Sequence, residues 1–279
     1  MFGSFFRVFS FMGQVLGMIG RSPMLLAPLA INILAAVPLH IALVAISFLL
    51  PEEYGFVQYL FMFVACASLY FVDYFSAGLN TSMIADAVTT GQPSLGNAFS
   101  RTLRASPGIL IFALVSALFD LLENVANNQR GMIRTILIGL LRTVWTTATY
   151  VMMPSMVIEN LGFVGSFKRS KELMENDPTQ VGVGVVGMGL ITWILSTGIF
   201  FVANYLAFGL IGQFSPALGM VAGLFLINVS WALSGFLKST YFTCYYLWAS
   251  ECARNGRAST EFAPAPLRSV LGDVTPGSF

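Results

Sequence analysis

Long unbroken runs of apolar residues alternate with short polar segments along most of this chain. Six runs are long enough to cross a hydrocarbon core, which takes about 20 helical residues at ~1.5 Å rise per residue. They lie at residues 24–50, 56–79, 108–126, 135–158, 181–210 and 217–238. Membrane β-barrels need short alternating segments instead, so the pattern predicts an all-α, polytopic membrane helix bundle with six transmembrane helices.

The segment before the first run has a different pattern, in which polar and apolar residues fall on opposite faces of a helix. Its polar face carries Arg7 and Arg21. This predicts an amphipathic helix over residues 1–22 that lies in the membrane interface, although packing on the bundle would give the same periodicity. We therefore expect a six-span domain over 23–256 and a flexible cytoplasmic tail over 257–279, which is rich in proline and small polar residues.

Composition agrees with a membrane protein, since 56% of the residues are hydrophobic, 10% are charged and the mean hydropathy is +0.78. The net charge of +1 and the scattered basic residues argue against nucleic-acid binding. The three cysteines lack metal-type spacing, so we expect free thiols and no metal site. The only histidine, His40, has no nucleophile at a recognisable spacing. We expect it to be a hydrogen-bonded structural residue and the protein to be a non-enzyme without a cofactor.

Basic residues sort the predicted loops into two sides. Ten of them fall on one side, against Arg130 and Arg134 on the other, which also carries Glu52 and Glu53. The ten are Arg7, Arg21, Arg101, Arg104, Lys168, Arg169, Lys171, Arg254, Arg257 and Arg268. By the positive-inside rule, both termini are predicted to be cytoplasmic.

Several ionisable residues fall inside the predicted spans, where each charge is costly without a partner. Counting residues from the span ends puts Asp120 and Arg142 at the same depth, about 12 Å from the outer surface, with Glu123 one turn above. Asp73 and Lys238 both fall near the inner ends of their spans and are predicted to form a second ion pair. These charges either fix helix register or line a wet, outward-facing cavity.

Glycines cluster in the last two predicted spans. The GxGxxG pattern from Gly182 to Gly187 lies at the start of an apolar run without a preceding strand, so we reject a nucleotide site. On a helix, these glycines predict close packing, either within the chain or between subunits. The predicted packing residues are Gly182, Gly184, Gly187 and Gly189, together with the GxxxG pair Gly219 and Gly223.

The loop after the fourth predicted span has a P-x-x-x-x-E segment followed by a K-R-S-x-x-L helix. Its residues are Pro154, Glu159, Lys168, Arg169, Ser170 and Leu173. This stretch resembles an uncharacterised family of bacterial and archaeal multi-pass membrane proteins, a domain of unknown function. Ser22 departs from the asparagine or aspartate more usual before the first proline of that family. The resemblance implies a fold and a prokaryotic cytoplasmic (inner) membrane, and no activity.

Two functions fit these patterns. The missing catalytic motifs and the glycine-lined faces favour a scaffold or accessory subunit that forms a homo-oligomer among membrane lipids. The alternative is a channel or transporter with a polar site at Asp120, Glu123 and Arg142.

Overall fold

The computed structural model describes residues 2–49, 55–128, 132–176 and 178–271. These residues are helical almost throughout and include no strand, which confirms the all-α helix bundle. The helices are α1 (Phe2–Arg21), α2 (Ala27–Ser47), α3 (Gly55–Thr89), α4 (Leu95–Asn128), α5 (Met132–Ile158), α6 (Phe163–Asn176), α7 (Pro178–Asn204), α8 (Gly212–Phe214), α9 (Pro216–Asn255) and α10 (Ala265–Leu271). Glu52, Glu53 and Arg130 of the predicted outer loops lie outside the described residues.

Five helical segments are long and apolar enough to cross a membrane, which indicates a membrane protein. They are Pro23–Ser47, Gly55–Thr89, Leu95–Asn124, Thr192–Phe214 and Pro216–Asn255, and they correspond to the first, second, third, fifth and sixth predicted spans. The fourth predicted span falls in α5, whose described apolar part, Ala148–Ile158, is shorter than a span. Six spans therefore stay a prediction.

Glycine and serine set the ends of the two longest helices. Gly91 follows α3 with φ of 72°, and Gly256 follows α9 with φ of 63°, a left-handed conformation that glycine adopts without a side-chain clash. At the other end of α9, the Ser215 hydroxyl accepts a hydrogen bond from the Leu218 N–H at 3.4 Å. Helices α3 and α9 run well past the length of a single bilayer crossing.

Helix α4 begins earlier than the predicted span at residue 108 and continues through Pro107. Its first turns are held against α3, because the Arg101 guanidinium contacts the Asp86 carboxylate at 2.7 Å. The same guanidinium donates a hydrogen bond to the Ser82 hydroxyl at 3.2 Å.

The end of the chain packs on the bundle and differs from the predicted flexible tail. The buried indole of Trp248 donates a hydrogen bond to the Ser259 carbonyl oxygen at 2.9 Å. Leu267 in α10 is fully buried in the core formed by α9 and α1. Burial of apolar side chains explains why residues 257–271 are ordered, whereas composition alone favoured a mobile tail. Residues 272–279 of the predicted tail lie outside the described part.

Helix α1 also packs on protein along one face, which is the alternative that its periodicity left open. Phe11 and Val15 are buried in the same core, and the Phe11 ring meets the Tyr241 ring edge to face at 5.5 Å. A second apolar face stays outside, with Leu16 64% exposed. One side of α1 is therefore packed on protein, and another side is exposed.

The GxxxG pair in α9 forms a close backbone contact with another segment of the same chain. The end of α7 continues as a π-helical turn, Tyr205–Ile211. A Cβ placed on Gly219 would lie 2.6 Å from the backbone oxygen of Ala207, and one on Gly223 would lie 3.5 Å from the Ala207 Cβ. Gly219 thus lets the two backbones approach closely. By contrast, a Cβ on Gly189 in α7 would meet no atom within 4 Å.

We expect Gly219→Ala to destabilise the protein by about 1–3 kcal/mol, because the new methyl group would force two backbones apart. Gly189→Ala is the matched control and should be neutral or slightly stabilising, by about 0.5–1 kcal/mol, since alanine favours helix. Unfolding in mixed detergent micelles measures both changes. Equal effects of the two substitutions would contradict the described packing.

Candidate functional site

Three helices meet in an ion cluster around Arg142 of α5. Its guanidinium contacts Asp120 Oδ1 of α4 at 2.6 Å and Glu123 Oε2 at 2.5 Å. The Tyr70 hydroxyl of α3 donates to Asp120 Oδ2 at 2.6 Å and accepts from Arg142 Nη2 at 3.0 Å. The predicted meeting of Asp120, Glu123 and Arg142 is confirmed, while any function of this cluster stays a prediction.

Tyr70 was not identified from the sequence. A tyrosine in an apolar run is compatible with simple core packing. Only the contacts of the Tyr70 hydroxyl show that this residue belongs to the ion cluster. A signal was present, because Tyr70 lies three residues before Asp73 and four before Tyr74, on one face of α3. Below it, the Tyr74 hydroxyl and the Ser116 hydroxyl are hydrogen-bonded at 2.8 Å.

The polar face continues from α4 to α5. The Trp145 indole donates to the Ser116 hydroxyl at 2.9 Å, so Ser116 joins the polar groups of α3 and α5. This arrangement satisfies hydroxyl and indole groups that would be costly in hydrocarbon. It also forms one wall of a space between the helices.

A cavity of about 600 Å³, open on one side, lies between α3, α4, α5, α7 and α9. Asp120 and Arg142 line one part of it, and Asp73 and Lys238 line another. The α7 wall includes Gly189, at the site where no atom would meet an added Cβ. The size is typical of a small-molecule site.

Asp73 and Lys238 do not form the predicted ion pair, and this prediction is wrong. The Asn32 amide of α2 donates to Asp73 Oδ1 at 2.9 Å. The Lys238 ammonium lies 5.9 Å from the centre of the Tyr150 ring, a cation–π arrangement. Residue counting placed the two residues at the same depth in the membrane. Depth alone does not determine the direction in which each side chain points. Within the described residues, Lys238 has no carboxylate oxygen within 4.0 Å.

Of the predicted packing glycines, Gly182, Gly184 and Gly187 lie within α7 together with Gly189. Gly189 borders the cavity and does not mediate a close helix contact. Its predicted packing role within the chain is therefore wrong, while Gly219 and Gly223 have this role in α9.

The P-x-x-x-x-E loop segment forms a separate polar contact. Pro154 lies inside α5, and the Glu159 carboxylate just beyond that helix accepts a short hydrogen bond from the Tyr246 hydroxyl of α9. Arg169 of α6 lies with Nε 3.5 Å from the same carboxylate. Burial by itself lowers the pKa of Arg169, but nearby Tyr246 and Glu159 more than offset this and raise it.

A hydrogen bond joins α6 to α5, because the Ser170 hydroxyl donates to the Val151 carbonyl oxygen at 3.2 Å. Lys168 on the other side of α6 is exposed. The motif therefore combines residues that fix α6 in place with a basic residue that faces outward.

His40 has the structural environment expected for it. Its Nδ1 lies 3.3 Å from the Asn228 amide nitrogen, and its ring stacks on Trp231 with centroids 6.1 Å apart. These contacts join α2 to α9.

We expect Arg142→Met to destabilise the protein by about 1–3 kcal/mol, because two partly buried carboxylates lose their cation. The double variant Arg142→Met with Asp120→Leu should lose less than the sum of the single losses. Arg254→Met removes an exposed pair with Glu251 and is the matched control, with little effect expected. Additive losses at positions 120 and 142 would contradict the cluster.

Comparison with known proteins identifies one family and no individual relative. Neither the curated proteins nor the solved structures include a match to this chain. A family model for a family of unknown function matches residues 53–260, well over half of the 279 residues. The resemblance to an uncharacterised family is thereby confirmed, and the chain belongs to the DUF6159 family.

Proposed function

We propose that the protein is a membrane transporter or channel in which a small polar solute passes through the central cavity. The observation that carries the proposal is that Asp73 and Lys238 line the same cavity of about 600 Å³ without pairing with each other. Two mutually unpaired charges of opposite sign at one cavity need water or a polar ligand beside them.

The energetic argument separates this part of the cavity from the Arg142 cluster. A charge at the bilayer centre costs at least about 2.5 kcal/mol on insertion scales. Arg142 and its two carboxylates offset that cost by direct contact, so their presence is compatible with a purely structural role. Among the described residues, Asp73 has only an amide partner and Lys238 only an aromatic ring, so our proposal requires that hydration of the cavity supply the remaining stabilisation.

A self-associating scaffold or accessory subunit is the second candidate. Its sequence basis was the glycine-lined helix faces, but Gly219 and Gly223 pack within the chain. That use leaves fewer close-packing surfaces for a homo-oligomer. Mass measurement in mild detergent separates the possibilities, because a strict monomer contradicts the scaffold and leaves the cavity function intact.

We further propose a prokaryotic cytoplasmic membrane location, both termini in the cytoplasm, and a non-enzymatic role. The excess of basic residues on one side of the predicted spans supports this orientation. Exposed Lys168 on α6 fits a surface near anionic headgroups, which makes membrane lipids the expected partners. Nothing in the charge distribution favours nucleic acid.

Hydration of the cavity is testable with one reporter cysteine. Ser234 lines the cavity and hydrogen-bonds with Ser196 at 3.0 Å. In a Cys66→Ser background, we expect Ser234→Cys to react with a charged, membrane-impermeant methanethiosulfonate reagent, because only a hydrated thiol can ionise and meet it. The remaining cysteines, Cys244 and Cys252, are fully buried. Mass spectrometry of the protein in lipid vesicles counts the modified chains.

Phe225→Cys on the same helix is the matched control, since Phe225 is 44% exposed and does not line the cavity. It should react only with a lipid-soluble maleimide. If Ser234→Cys behaves in the same way, the cavity is filled with lipid or protein and the transport proposal fails.

A further inference from the structure

A second, smaller cavity of about 40 Å³ adjoins the large one, and its lining includes oxygen-bearing side chains among apolar ones. Asp73, Ser76 and Asn80 all border it, at helical spacings of three and four residues along one face of α3. Asn32 of α2 borders it from the opposite side. Asp73 and Tyr150 line both cavities, so the two spaces share a boundary.

Asn80 is held with its amide oxygen unpaired. Its Nδ2 donates to the Phe236 carbonyl oxygen at 3.1 Å, to Ser239 Oγ at 2.6 Å and to Thr240 Oγ1 at 2.9 Å. Both hydroxyls donate in turn to that same carbonyl oxygen, at 3.0 and 2.7 Å. The two protons of Nδ2 are shared among these three acceptors. The Phe236 carbonyl oxygen can only accept, so the amide atom that faces it is the nitrogen, and Oδ1 points away from this group.

The consequence is an orphaned acceptor in the protein interior. Asn80 is only 1% exposed, and its Oδ1 has no hydrogen-bond partner among the described residues. A buried acceptor without a partner is rare and costly. It needs a donor or a cation from outside the chain.

The neighbouring groups also supply oxygen atoms. Asn32 donates to Oδ1 of Asp73, and Oδ2 has no hydrogen bond with the described residues. The Ser76 side chain is buried and borders the same space. An anionic carboxylate and a hydroxyl therefore border a small volume together with a neutral amide oxygen one turn further along α3, and oxygen groups of this kind suit a hard cation.

We propose that this small cavity is a monovalent alkali cation site that binds Na⁺ through Asp73 and Ser76, with a retained water between the ion and the Asn80 amide oxygen. One carboxylate is matched in charge by one monovalent ion, whereas a divalent ion would leave an excess positive charge in the membrane. The volume exceeds the roughly 10–15 Å³ that a single water needs, so the ion fits together with a retained water.

Of the two cationic side chains that line the large cavity among the described residues, Arg142 is paired with Asp120 and Glu123, which leaves Lys238 to compete for Asp73 across the shared boundary. Lys238 lines the large cavity and not the small one, and its ammonium lies over the Tyr150 ring. The small cavity is therefore left to an external cation. Binding of Na⁺ does not depend on transport, but a role as coupling ion rests on the proposed function, since Asp73 also borders the solute cavity.

Binding of radioactive sodium to the purified full chain in lipid nanodiscs tests the site. We expect saturable binding of about one ion per chain that excess unlabelled Na⁺ displaces and choline does not. Asp73→Asn should abolish this binding, and Ser76→Ala should weaken it at least tenfold. Lys238→Met should retain it, because Lys238 is not a ligand of the site.

Ser230→Ala is the matched control, since Ser230 is a buried serine of α9 that lines neither cavity. It should bind sodium as the parent chain does. Absence of saturable binding in a folded parent chain, or binding unchanged in both Asp73→Asn and Ser76→Ala, overturns the site and leaves water as its occupant. The cysteine labelling at position 234 is independent of this outcome, so failure of the cation site and failure of the solute cavity are distinguishable.

Discussion

Hydrocarbon offers no hydrogen bonds, and this constraint explains most of the structure. Backbone groups satisfy one another within helices, so polar side chains in the spans depend on each other, on enclosed water or on a ligand. In the Arg142 cluster, the requirement is met by protein groups from three helices. Around Asp73 and Lys238, protein groups meet it only in part. That contrast is the physical basis for assigning a structural contribution to the first group and solute or ion binding to the second.

The bundle can hold such a cavity open because it is tied together at its ends. At one end, α1, α9 and α10 share a core that includes the fully buried Trp248, and Arg101 joins α4 to α3. At the other, the π-helical turn after α7 packs on Gly219 of α9. These contacts fix the helix ends, so side chains in the middle need not fill the space between them.

Sequence reasoning succeeded for features that depend only on the position of a residue along the chain. Apolar run length located five of the spans, and residue counting brought Asp120 to Arg142. It failed where the rotation of a helix about its axis decides which side chains meet. Asp73 and Lys238 share a depth but contact Asn32 and Tyr150 instead of each other. The ordered structure of residues 257–271 was also missed, because it depends on the burial of Leu267 against helices that are distant in sequence. The orphaned Asn80 oxygen is visible only once its three acceptors are placed.

The central claim is that water reaches the charged groups in the interior of a bundle surrounded by lipid. Water-edited solid-state NMR of the protein in bilayers measures this directly, through the rate at which magnetisation passes from water to each side chain. We predict that Lys238 gains signal nearly as fast as exposed Lys168, and far faster than Leu34, which is 75% exposed on a predicted lipid-facing span. Transfer to Lys238 as slow as transfer to Leu34 would contradict the account.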